Sequence, residues 1–178
     1  MEDLRYKTVC FSCYRPEKFA FILHQGNEVY LALEKRIEEG IFQSVEDGYT
    51  SFICGMAKGF DLVAGSLVVA LKESWADLAD LNLVAVLPFE RHGFSSEPWC
   101  TLHQMVVDGA GEVVTLASKY HSQAYHDRNR YMVDHSSRLI CYYDGKKGGT
   151  HSTVKYAEEQ GLAIVNVAEP KPESGGKN

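Results

Sequence analysis

The residues of this chain best suited to holding an anion fall in two stretches. Arg128 and Asn129 stand in "HDRNRYMVDHSS", beside Arg130 and His126. Gly148, Gly149 and Thr150 stand in "YYDGKKGGTHST". A guanidinium grips a phosphate through two parallel N–H bonds. A glycine-rich turn that runs into a helix presents unpaired backbone N–H groups and the positive end of the helix dipole. Thr150 reads as the N-cap of that helix. Thr150, Ser152 and Thr153 add hydroxyl donors. The same residues also suit a plain strand-to-helix loop with a capping threonine. The coincidence of glycine pair, cap and strand end favours phosphate.

Three further loops carry groups of matching chemistry. "SCYRP" supplies Ser12, Tyr14 and Arg15: a second fork for phosphate and a ring to stack on a base or ribose. Without a ligand it is a turn set by Pro16. "GMAKGFD" supplies Gly55, Met56, Ala57, Gly59 and Asp61. Its glycines permit positive φ and close approach of a ligand, although the pattern is not the G-x-G-x-x-G of dinucleotide sites. Asp61 in a first helical turn also suits the helix dipole alone. "LPFERHGFSSEPW" leaves its strand at Pro88 and is long enough to close over a ligand. Asp61 and Asp144 are acceptors for ribose hydroxyls. No catalytic residue stands out: seven histidines are scattered, with no H-E-x-x-H and no G-x-S-x-G elbow. No metal site is expected either. Cys10 and Cys13 have C-x-x-C spacing but no second pair follows, and the five cysteines read as buried or incidental thiols.

These loops need a scaffold, and the apolar pattern supplies one. "KTVCFS", "TSFICG", "LNLVAVLPF", "GEVVTLA", "RLICYYD" and "LAIVNV" are short apolar runs. Near-continuous apolar strands are those buried on both faces of a parallel sheet. Between them lie helical segments. Val29, Leu33, Ile37 and Ile41 form one stripe; "GFDLVAGSLVVALKESW", "EPWCTLHQMVVDG", "AYHDRNRYMVDHSS" and "THSTVKYAEEQ" are the others. Strand–helix alternation from end to end predicts an α/β, Rossmann-like, doubly wound and mostly parallel sheet of about six strands with helices on both faces. One domain is expected over 1–168, with a flexible polar tail over 169–178.

The chain has 178 residues, 45% apolar and 24% charged, as an ordinary globular protein does. No apolar run approaches the ~18 residues of a membrane span. The N-terminus lacks a secretory h-region, so residence in the cytoplasm is expected, with no membrane partner. A net charge of −6 argues against a broad nucleic-acid surface but leaves room for a local basic pocket.

In order, "CFSCYRP", "GMAKGFDLVAG", "LPF", "RNRYMVDHSSRLICYYDG" and "GGTHSTVKYA" resemble the YpsA-like family of the SLOG superfamily, over about Thr8 to Val167. The resemblance implies a Rossmann-like fold, a nucleotide or nucleotide-derived ligand such as ADP-ribose or a nucleoside phosphate, no required cofactor, and a homodimer. Related LOG-type phosphoribohydrolases carry R-x-x-x-M, matched by Arg128 and Met132, and P-G-G-x-G-T-x-x-E, matched in part by Gly148, Gly149 and Thr150. The glutamate of that loop falls at Thr153, which implies a binding protein rather than an enzyme. Two alternatives accompany this. One is a nucleoside-phosphate hydrolase with Asp61 or Asp144 as a non-standard acid. The other is a single-stranded DNA binder like the DprA branch, which has a similar R-N-R segment, with Tyr14 and Tyr131 as stacking rings. The first loop of the family usually reads T-G-x-R-P; here Cys13 replaces that glycine.

Overall fold

The computed structural model describes residues 4–169. All but the first residue of the expected tail therefore lies outside the described residues. Six strands form one sheet: β1 (Thr8–Ser12), β2 (Ser51–Cys54), β3 (Asn82–Leu87), β4 (Glu112–Thr115), β5 (Arg138–Cys141) and β6 (Ala163–Asn166). Their order is β4-β3-β2-β1-β5-β6, and every neighbouring pair is parallel. The sheet is thus wholly parallel, not mostly so. Five helices connect the strands: α1 (Glu28–Glu46), α2 (Phe60–Ser74), α3 (Trp99–Gly109), α4 (Ala124–Asp134) and α5 (Gly149–Glu159).

Strand order explains why helices cover both faces. From β1 the chain steps outward through β2 and β3 to β4, so α1, α2 and α3 pack on one face. It then returns past β1 to β5 and β6. With the same right-handed crossover, α4 and α5 fall on the other face. Side chains alternate along the central strands accordingly. Val9 and Phe11 join the first core, Cys10 the second; Phe52 and Cys54 join the first, Ile53 the second.

The expectation of strands buried on both faces holds at the centre and fails at the edges. β1 and β2 are buried at every residue, whereas β4 and β6 are largely exposed or half-buried. An edge strand has a neighbour on one side only, so its other side stays open to solvent. The stripe of α1 is also corrected. Val29 is 44% exposed and Tyr30 takes the buried place with Leu33, Ile37 and Ile41. A strict four-residue repeat drifts off the face of a helix with 3.6 residues per turn. The cap explains the start: Asn27 Oδ1 accepts from the N–H of Val29 at 3.0 Å and of Tyr30 at 3.1 Å. No helix among the described residues is long and apolar enough to cross a membrane.

Candidate functional site

The chain reverses its direction of travel between β1 and β5. At such a point the loops leaving adjacent strands part, and a crevice opens at the carboxyl ends of the sheet. A cavity of about 570 Å³ lies there, within the roughly 300–1,000 Å³ of small-molecule sites. β1 contributes its last residue, Ser12, the segment after it Cys13, Tyr14 and Arg15, and the following 3-10 turn Glu17 and Lys18. The loop after β2 contributes Ala57 and Lys58, and the first turn of α2 Asp61. His92 and Phe94 come from the loop after β3, Tyr125, Arg128 and Asn129 from α4, and Gly149 and Thr150 from the start of α5. Four cations and two carboxylates therefore face one cavity, in a chain whose net charge is −6.

Arg128 organises this space. It is 6% exposed. Its Nη1 donates to the Gly55 carbonyl and its Nε donates to Asn129 Oδ1 at 2.9 Å. Asn129 Nδ2 donates to Thr153 Oγ1 at 3.0 Å, and that hydroxyl donates to the Gly149 carbonyl at 2.9 Å. One chain of hydrogen bonds thus ties the β2–α2 loop, α4 and the first turn of α5 together. Asp61 shares the cavity. Burial pushes its carboxyl up to about 6, against the pull of Arg128 and of the Ala57 N–H. Burial also lowers Arg128, and the Asp61 charge holds it up.

Aromatic rings stand beside the cations. His92 meets Phe94 edge-on at 5.3 Å and Tyr125 at 6.2 Å. Burial, then the positive charge of Arg128, drives the His92 imidazole down to about 4, so it is neutral at physiological pH. The Arg15 and Arg128 guanidiniums lie 5.3 Å and 5.8 Å from the Tyr125 ring centre. Cys13 also faces the cavity, with its thiol pushed well up by burial and therefore protonated.

The family model described as the YspA SLOG family, YpsA, matches residues 9–167. The chain belongs to the YpsA family of SLOG proteins. It is similar to the uncharacterized SPbeta prophage-derived protein YoqJ of Bacillus subtilis strain 168, at 26% identity over 120 residues, 61% of this chain and 69% of that protein. It is also similar to the UPF0398 protein lin2003 of Listeria innocua serovar 6a, at 24% identity over 161 residues, 86% of each chain. Among solved structures, DNA processing protein A of Streptococcus pneumoniae superposes with a TM-score of 0.58 at 16% identity. That match covers 98% of this chain but only 54% of the other. DNA processing protein A of Helicobacter pylori, described for its single-stranded DNA binding mode, gives a TM-score of 0.58 at 14% identity, covering 96% of this chain and 69% of that one. The structural matches establish the Rossmann-like fold.

Of the site residues expected for a YpsA protein, Ser12, Tyr14, Arg15, Ala57, Asp61, Arg128, Asn129, Gly149 and Thr150 line the cavity. The others do not line it. Met56 is fully buried in the core at φ 58. Pro88 is buried at the strand exit. Gly59, at φ 101, packs against Pro16, whose Cδ would lie 2.9 Å from an added Cβ. Gly55 is engaged through its carbonyl, which accepts from Arg128 Nη1. Thr153 has its hydroxyl engaged by Asn129 and Gly149, so the position of the LOG-type glutamate is filled by a structural bond. Arg130 stacks over Tyr156 at 4.1 Å, away from the cavity.

Asp144 is also diverted. Its Oδ1 accepts from the Tyr14 hydroxyl at 2.7 Å and from the Lys146 N–H at 3.2 Å, and Oδ2 pairs with Lys146 Nζ at 2.8 Å. Burial works upward on this carboxyl, but the bonds from Lys146 and Tyr14 prevail and hold it at about 2. Asp144 thereby fastens the glycine-rich loop to the β1 loop. The N-cap of α5 is corrected too: it is Gly148, at φ 147, and Thr150 sits inside the first turn. The glycine takes a backbone conformation closed to other residues and lets the helix begin earlier. Lys18, Lys58, His92, Phe94 and Tyr125 were not among the expected site residues. Their only signal in the sequence was position within the loops after β1, β2 and β3 and on α4.

Proposed function

We propose that this YpsA protein binds a nucleotide or nucleotide-derived small molecule, a nucleoside phosphate or ADP-ribose-like ligand, at the carboxyl ends of its strands. The observation that carries this is the convergence of Arg15, Lys18 and Arg128 with the first turn of α5 on one cavity in an acidic chain. The phosphate lies at Gly149 and Thr150, where helix amides lack partners. Asp61, not the engaged Asp144, accepts from ribose hydroxyls, and the aromatic rings border the base. Nucleotide- or nucleic-acid-type ligands are the class that SLOG membership favours.

A ligand at a hundred times its Kd adds about 2.7 kcal/mol. That raises the melting temperature of a chain this size by about 5–11 °C. A thermal-shift panel of nucleoside phosphates and ADP-ribose should show such a rise for at least one member, and Thr150→Ala should reduce it. A flat panel overturns the proposal.

A second activity is favoured by one observation, the placement of Asp61. A cavity-lining carboxyl held near 6 is suited to carrying a proton in general acid–base work. If the protein hydrolyses nucleoside monophosphates, free base should accumulate on incubation and Asp61→Asn should abolish it. Asp144→Asn should leave base release largely intact. No release by the wild type removes this activity and leaves the binding function standing.

A further inference from the structure

We propose that the cavity takes a doubly charged phosphoryl group and discriminates against a singly charged phosphodiester, with Arg15 and Lys18 as the residues that set the preference. The proposal rests on the nucleotide-binding function above and narrows it to a ligand class.

Charge is the first argument. Lys58 pairs with Glu17 at 3.3 Å. Arg128 and Asp61 stabilise one another through space. Among the described residues, Arg15 and Lys18 have no carboxylate within ion-pair distance. They account for the excess of two cations over carboxylates around the cavity. Lys18 also stands where a phosphate would rest. Its ammonium lies 3.1 Å from the place a Cβ on Gly148 would occupy, at the mouth of α5. The amides opening the 11-residue α5 add roughly half a positive charge.

Two hydroxyls supply the second, independent argument. Ser12 is 7% exposed and Thr150 is 5% exposed, and both line the cavity. Among the described residues neither side chain has a hydrogen-bond partner. Neither oxygen is among the fully enclosed unpaired side-chain atoms, so both hydroxyls open onto the cavity and are free to donate to an occupant. Two unpaired hydroxyls from β1 and α5, facing the same space as two unpaired cations, point to an occupant rich in acceptor oxygens.

A phosphate monoester carries about 1.5–2 negative charges at neutral pH. A pyrophosphate esterified at both ends also carries two. Either matches the unpaired cations. A phosphodiester carries one charge and leaves a cation unmatched, so a nucleic-acid backbone fits poorly.

Calorimetric titration of the full chain at pH 8, where the monoester is fully doubly charged, tests this. The probes are the nucleoside 5′-monophosphates of the four common bases, the methyl ester of each, and ADP-ribose. At least one monoester should bind about tenfold or more tighter than its own methyl ester, or ADP-ribose about tenfold or more tighter than the methyl ester of adenosine monophosphate. Lys18→Met and Arg15→Met, both at exposed positions, should each weaken the doubly charged probe more than the methyl ester and so remove most of that advantage. A stronger monoester identifies a terminal phosphate as the source of charge, and stronger ADP-ribose identifies a bridging pyrophosphate. Methyl esters that bind as tightly as both their parents and ADP-ribose overturn the charge preference while leaving nucleotide binding intact. Failure of every probe overturns both.

Discussion

Replacing Arg128 with methionine should destabilise the fold by roughly 3–5 kcal/mol, the usual result of removing one partner from a buried, charged network. For a chain of this size that lowers the melting temperature by about 6–20 °C. Two losses combine. The Gly55 carbonyl and the Asn129 side chain lose their donor, and Asp61, 5% exposed, loses the positive charge that favours its ionised form. The second loss depends on pH, and its sign follows from linkage. The Asp61 carboxyl stands at about 6 in the folded protein, above its ordinary value of 3.8. The stability it contributes is fully present below about pH 4, where it is protonated in both states, and declines as pH rises through about 6. Without Arg128 the folded value moves higher still, so the decline continues toward neutrality. Denaturant unfolding at pH 4.5, 6 and 7.5 should therefore show a deficit of Arg128→Met that grows with pH. Adding Asp61→Asn should remove the growth and keep the constant part. A deficit independent of pH would refute the coupling of these two groups.

Gly55→Ala should destabilise the protein by about 1–3 kcal/mol and reduce ligand affinity about tenfold or more. A Cβ at Gly55 would lie 2.7 Å from Asp61 Oδ2, 2.7 Å from Met132 Sδ and 2.9 Å from Arg128 Cδ. Three side chains from α2 and α4 would have to move, and two of them line the cavity. The obstacle is steric, because Gly55 is not among the residues with positive φ. Gly149→Ala is the matched comparison. An added Cβ there meets nothing within 4 Å, and alanine is the better helix residue by about 1 kcal/mol. Gly149→Ala should melt at or above the wild type, and Gly55→Ala well below it. Equal melting of the two variants would show that the packing around Gly55 does not constrain the site.

Much of this architecture was legible along the chain. The apolar runs around Val9, Ile53, Val84 and Leu139 mark the central strands, because a strand buried on both faces has no polar position to spare. The glycines and cations of "GKKGGTHST" mark the strand-to-helix turn. Local patterns were less able to set boundaries. Thr150 is the better cap by residue type, yet Gly148 takes the place because the turn needs φ 147. Val29 fits a repeat of four, yet Tyr30 faces the core.

By itself the sequence determined the alternation of strands and helices, the family, and the loops in which an anion site would lie. These rest on short-range periodicity and residue type, which need no knowledge of neighbours across the sheet. Only the tertiary structure decided which charged groups meet. Asp144 and Asp61 are alike as carboxylates after strands, but Tyr14, 130 positions away along the chain, engages the first, and burial beside Arg128 leaves the second facing the cavity. Lys18 and His92 join the site because β1, β2, β3 and β5 stand side by side in the strand order. Such contacts depend on how distant loops converge at one edge of the sheet, and no pattern within a loop encodes that convergence.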